Sequence, residues 1–167
     1  MCIRDRYYPI LDTLTRTWVN AGEFGGGHSG SWVSRYKVVR DVDLVGHGYF
    51  AVMIAVHNTN TSVGLVADVT IDVALADYDS STDTSTNIVT DSWTFKADVA
   101  AGGVEYYWFV RSFNITDRYT IPADHEIEYF IAWDTSEYDF DIYVNQENSD
   151  KPTSIGIPFD ITRYGYA

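Results

Sequence analysis

Apolar and polar residues alternate with a period of two along most of the chain. Val69, Ile71, Val73 and Leu75 alternate with Asp68, Thr70, Asp72 and Ala74. Trp93, Phe95, Ala97 and Val99 repeat the pattern, as do Val104, Tyr106, Trp108 and Val110. So do Ile127, Tyr129, Ile131 and Trp133, then Phe140, Ile142 and Val144, then Ile155, Ile157, Phe159 and Ile161. Successive side chains of a strand point to opposite faces, so each run predicts a strand with one buried face. Tyr36, Val38, Arg40, Val42 and Leu44 read as one further strand. Phe50, Val52, Ile54 and Val56 are opposed by Tyr49, Ala51, Met53 and Ala55, which predicts a strand buried on both faces. The run from Tyr7 to Val19 predicts an N-terminal strand. No segment repeats with the 3.6-residue period of an amphipathic helix.

Turn chemistry separates these runs. Gly46 to Gly48, Asn58 to Ser62, Asp77 to Asn87, Gly102-Gly103, Asp117, Asp134 to Glu137 and Gln146 to Pro152 all read as turns or loops. Eight to ten strands without intervening helices predict an all-β fold, an antiparallel sandwich of jelly-roll type. The length of 167 residues suits one domain. The expected organisation is a body over residues 32–167, preceded by an N-terminal strand and glycine-rich connection over residues 7–31. Residues 1–6, "MCIRDR", read as sequencing-adapter sequence and are left out of the fold. On that reading the natural N-terminus, with any secretion signal, is missing.

Composition agrees with the pattern. Aromatics reach 16%, with 13 Tyr, 8 Phe and 5 Trp, which favours strands over helices. Charge adds a constraint on partners. With 24 acidic and 11 basic residues the formal net charge is -13. Such a surface repels phosphate backbones and anionic lipid, which excludes nucleic acid and membrane-surface partners. It suits divalent cations, basic partners, or life at high salt or heat. No apolar run reaches the roughly 18 residues of a membrane-spanning helix. Cys2 is the single cysteine, so no internal disulfide and no cysteine-based metal site is expected.

Two acidic stretches are candidate ion sites. In "DYDSSTD", residues 77–83, Asp77, Asp79 and Asp83 alternate with hydroxyls. Calcium takes about 6–8 hard oxygen ligands, which such a loop can supply in part from its own carbonyls. The other reading is a solvated turn, since Asp and Ser are common turn formers. In "DTSEYDFDIYV", residues 134–144, Asp139 and Asp141 are expected on one strand face about 7 Å apart, with Asp134 and Glu137 in the preceding loop. A shared cation, a solvent-facing polar strand and a catalytic carboxylate pair remain open there. Glycosidases set two carboxylates at such a separation, but nothing marks either residue as a proton donor.

Other chemistry is thin. His28, His47, His57 and His125 show no zinc-type spacing, and no G-x-S-x-G nucleophile motif occurs. Two glycosylation triplets start at Asn60 and Asn114. Trp93, Trp108 and Trp133 fall on the apolar side of their strands and are expected in the core. Tyr107 and Phe109 lie on the opposite side of theirs and are expected to form an exposed apolar patch, the usual mark of a partner surface.

The run "YTIPADHEIEYFIAWDTSEYDFDIYVNQENSDKPT", residues 119–153, resembles the pre-peptidase C-terminal (PPC) module of secreted hydrolases. It shares a Pro-Ala turn, a strand ending in Trp133-Asp134, a D-x-D-x-Y-V strand and a Lys-Pro-Thr turn. The resemblance implies an extracellular accessory sandwich with Asp139 and Asp141 as candidate calcium ligands. The stretches "GYFAVMIAV" and "IGIPFDITRYGYA" resemble subunits of archaeal cannulae, extracellular tubes built from β-sandwich proteins. That resemblance implies calcium-dependent assembly by strand exchange, and the glycines at residues 25–30 suit a hinge.

The expected function is therefore that of an extracellular structural protein, not an enzyme. It would be a calcium-stabilised subunit that self-assembles into a homo-oligomeric filament, tube or surface layer. Its candidate ion ligands are Asp77, Asp79, Asp83, Asp134, Asp139 and Asp141. Its candidate interface is Tyr7, Tyr8, Ile10, Leu14 and Trp18 on the exchanged strand, with Tyr107 and Phe109. The alternative is a polysaccharide-binding accessory module.

Overall fold

The computed structural model describes residues 17–20 and 28–146. They form eight strands: β1 (Thr17–Asn20), β2 (Ser29–Lys37), β3 (Val42–Asn58), β4 (Leu65–Asp79), β5 (Thr84–Val99), β6 (Val104–Ile121), β7 (Glu126–Thr135) and β8 (Phe140–Gln146). Two antiparallel four-stranded sheets result, as the alternation predicts. The front sheet has the order β1-β8-β3-β6 and the back sheet β2-β7-β4-β5.

The core lies between them. Val69, Ile71, Val73 and Leu75 of β4 are buried, and Ile131 and Trp133 of β7 join them. The front sheet contributes Phe50, Val52, Ile54 and Val56 of β3 with Phe140 and Ile142 of β8. Burying each such side chain contributes about 1.5–3 kcal/mol. Two glycines admit large rings into this layer. A Cβ at Gly48 would stand 2.5 Å from the Phe113 ring, and one at Gly30 would stand 2.3 Å from the Trp133 indole.

Several expected boundaries move. Tyr36 and Leu44 belong to different strands, because β2 ends at Lys37 and β3 begins at Val42. Gly46 to Gly48 do not form a turn. They sit inside β3, where Gly46 adopts φ +97° at a register shift against β6. Asp117 likewise lies within β6, not in a turn. The expected loop from Asp77 to Asn87 shrinks to a tight connection between Asp79 and Thr84, with Asp83 at φ +53°. Glycine and aspartate mark backbone irregularity, and here a bulge inside a long strand uses them as readily as a turn. The pattern at Ile155 to Ile161 lies outside the described residues.

Candidate functional site

The β5–β6 corner sets up the most distinctive surface. The chain leaves the back sheet at Val99 and enters the front sheet at Val104. Asn58, fully buried, fixes this corner. Its side-chain amide donates to the carbonyls of Val63, Val99 and Ala100 at 2.9, 3.2 and 3.2 Å. Its backbone N–H donates to the Gly103 carbonyl at 3.0 Å.

From that corner β6 runs as the outermost described strand of the front sheet. Tyr107 and Phe109 turn inward and interleave with β5. Phe95 lies 4.7 Å from Tyr107 and 4.8 Å from Phe109 between ring centroids, and Trp93 lies 5.4 Å from Phe109. The Tyr107 hydroxyl accepts the Asp98 N–H at 3.0 Å. Arg111 donates to Asp91 at 2.7 Å and covers the Trp93 ring. These contacts close the side of the sandwich. They also hold the Asp91 carboxyl below the usual range, chiefly through the Arg111 hydrogen bond.

The intervening residues of β6 face outward. Val104 is 43% exposed, Tyr106 55%, Trp108 64% and Val110 70%. The expectation for this strand is thus inverted. Trp108 is not a core residue; Tyr107 is half-buried against the core and Phe109 half-buried against Trp93 and Phe95, instead of forming the exposed patch. In the outward row's register with β3, Tyr106 pairs with Ala55, Trp108 with Met53 and Val110 with Ala51. The row itself carries no charge.

The acidic candidates divide into two groups, Asp77, Asp79 and Asp83 at one end of the back sheet and Asp134 towards the other, with Asp139 and Asp141 at the start of β8 in the front sheet. Asp77 pairs with Ile127, whereas Asp134 pairs with Thr70 on the same two strands. Seven residues of strand separate them, about 23 Å at ~3.3 Å per residue. Asp77 is buried and accepts the Tyr119 hydroxyl at 3.0 Å; its other oxygen lies 2.8 Å from His125 Nδ1. Burial, followed by the bond to Asp77, pushes the Tyr119 hydroxyl's pKa up. Asp79 accepts the Ser81 N–H, the Ser81 hydroxyl and the Thr82 hydroxyl at 2.8, 2.7 and 2.9 Å. The Ser81 and Thr82 bonds lower its carboxyl to about 2. Asp83 accepts the Tyr78 hydroxyl at 2.8 Å, which raises the pKa of that phenol.

At the other end Asp139 lies one residue before β8, not within it. It accepts the Asn60 amide at 3.1 Å. Glu137 accepts the Asp139 N–H at 3.2 Å. Asp141 pairs in register with His57, and Asp134 stands exposed near the end of β7. The structure therefore does not bring the six candidate ligands together. Among the described residues no three His, Cys, Asp or Glu side chains converge as a metal site. Protein donors bond Asp77, Asp79, Asp83 and Asp139, and Asp77 is a buried residue of β4, not part of a solvated turn.

The candidate exchange strand is described only in part. Thr17–Asn20 pairs with the chain's own β8, Trp18 opposite Asn145. Within one chain that edge position is therefore taken. Tyr7, Tyr8, Ile10 and Leu14 lie outside the described residues.

No family model and no curated protein matches the chain. Among solved structures, the Yersinia pseudotuberculosis-derived mitogen is similar at 13% identity over 77% of this chain and 99% of that one. Its TM-score is 0.20, too low to carry an argument about fold or function.

Proposed function

We propose that the protein is a structural β-sandwich that associates with copies of itself through the outer side of β6. The extracellular setting is the one implied by the resemblance to cannula-type subunits. The observation that carries this reading is the uncharged row of Val104, Tyr106, Trp108 and Val110 on a chain of net charge -13. Copies of so acidic a molecule repel one another over most of their surface. A neutral apolar strip is where they can approach, and covering it removes apolar area from water.

The strand's own edge supports the same conclusion. β6 spans 18 residues and, among the described residues, is last in its sheet. Natural sheets defend such edges with lysine, proline or inward charges. Between Val104 and Thr116 the strand has neither lysine nor proline, and its charges are Glu105 and Arg111, the latter already held by Asp91. The acidic residues do not enter the proposal, because protein donors already occupy most of them.

Sedimentation velocity over a concentration series tests it. Dimers or larger species should form with rising concentration and vanish in Trp108→Glu, with the monomer's circular dichroism unchanged. A chain that stays monomeric at high micromolar concentration, or a Trp108→Glu variant that associates normally, would overturn it.

A further inference from the structure

The back sheet carries a second surface feature, with different chemistry. Its strands β4 and β5 lose register between Leu75 and Ala76, where Leu75 pairs with Val89 but Ala76 pairs with Asn87. Ile88 is the extra residue. A bulge of this kind bends its strand away from its partner and re-aims the neighbouring side chains. Here it leaves Asn87 and Thr90 standing apart on the outer side, over Ala74. Ala74 pairs with Thr90 on one side and Phe130 on the other, and all three line the same space. The result is an open cleft of about 630 Å³, lined by Asp72, Ala74, Asn87, Thr90, Ser92, Glu128 and Phe130 among others. Small-molecule sites have volumes of this order, ~300–1,000 Å³.

The lining selects the ligand class by elimination. Glu128 is buried, and its charge is met by Arg35 at 2.6 Å, with Ser85 donating at 2.7 Å. Asp91, at the rim, is met by Arg111. Asp72 is left as the one carboxylate of the cleft without an ion-pair partner among the described residues, too little to hold a divalent cation, which takes several hard oxygens. An anion would meet unfavourable charge, and a hydrocarbon would meet amide, hydroxyl and carboxylate groups. A neutral polyhydroxylated ring meets both halves of the lining. Its hydroxyls can donate to Asp72 and exchange hydrogen bonds with Asn87, Thr90 and Ser92. Its C–H face can lie against Phe130.

We infer that this cleft binds a sugar ring of a neutral glycan. The site is on the opposite sheet from the β6 row, so it stands or falls independently of self-association. It gives the molecule a means of attachment to polysaccharide at a place the exposed aromatics do not mark.

Affinity electrophoresis in gels containing hydroxyethylcellulose, xylan, mixed-linkage β-glucan or galactomannan tests it. At least one gel should retard the protein. Asn87→Ala and Thr90→Ala, both exposed positions, should weaken the retardation at least tenfold with circular dichroism unchanged. Trp108→Ala should leave it intact. Three results would each overturn the inference: no retardation in any of the four gels, retardation undiminished in the Asn87→Ala, Thr90→Ala double variant, or retardation lost in Trp108→Ala instead. Calorimetry with calcium chloride supplies a further arm, and a divalent ion bound and lost with Asp72→Asn would replace the sugar reading with a cation site.

Discussion

The two outer faces of the sandwich come from strands of similar length, yet they meet water differently. On the back sheet β4 and β5 put a Thr70–Thr94 hydrogen bond and an Asp68–Lys96 ion pair into solvent. On the front sheet β6 puts Val104, Tyr106, Trp108 and Val110 there. Both faces are reached by the same alternation, and both strands bury aromatics on the other side. What differs is the alternate position. In β5 it is polar, so burial and solvation divide cleanly. In β6 it is apolar from Val104 to Val110, so that part of the strand has two faces fit for burial and the described residues cover one. An apolar face that a fold leaves uncovered is information about what the fold meets.

Neighbouring residues on β6 give the sharpest way to break this comparison. Phe109 packs against Trp93 and Phe95, so Phe109→Ala should lower the unfolding free energy by about 2 kcal/mol, below the ~3–5 of a fully buried phenylalanine. Trp108→Ala, one residue away and larger, should change monomer stability by no more than about 0.5 kcal/mol. Urea denaturation at a concentration too low for association measures both. Equal losses would mean that the outward row is packed after all, and would remove the distinction between the two faces.

Much of the fold is legible in the sequence because alternation is a local signal. The residues expected on the inner side of β4 and β7 are buried, Ile71 and Trp133 among them, although β4 is buried on both sides from Val73 to Tyr78. The pattern fails where its premise fails. "VEYYWFV" is apolar at successive positions, so period two cannot say which side is in, and the contacts with Trp93 and Phe95 decide it. Turn residues misled for a related reason. Gly46 and Asp117 serve register irregularities within long strands, and no local signal separates a bulge from a turn. The back-sheet cleft was equally hidden. Ala74 and Ala76 read as ordinary strand residues, and only pairing across β5 shows that Ile88 is extra. Of the acidic candidates, the sequence shows that carboxylates cluster. It does not show that Ser81, Thr82, Tyr78, Tyr119 and Asn60 are positioned to satisfy them.

The acidic turn supplies a smaller test, in pH. Asp79 has its carboxyl lowered from 3.8 to about 2 by bonds from Ser81 and Thr82. Its pKa is lower folded than unfolded, so its contribution is complete above the unfolded value and is lost as pH falls through the folded one. Thermal melts should therefore weaken between about pH 4 and pH 2, and Asp79→Asn should flatten that part of the profile. The same melts at pH 7 with calcium or with chelator should coincide, since donors from the protein already fill this carboxylate. A rise in melting temperature with calcium that Asp79→Asn removes would return residues 77–83 to the role of an ion site.

The smallest effect expected lies on the wet face. Lys96 and Asp68 sit at 2.9 Å with both side chains about two-thirds exposed. An ion pair in that setting gains little over two hydrated ions, because water screens the attraction and the long lysine loses rotamer freedom. A double-mutant cycle through Lys96→Ala and Asp68→Ala should give a coupling of about 0.2–1 kcal/mol that falls further in molar salt. Neither change should alter sedimentation. That pairing of a measurable bond with no effect on association is what a solvated face predicts. If Lys96→Ala dissolved the oligomer, the interface would be electrostatic and would lie on the back sheet. The apolar row on β6 would then have to be explained some other way.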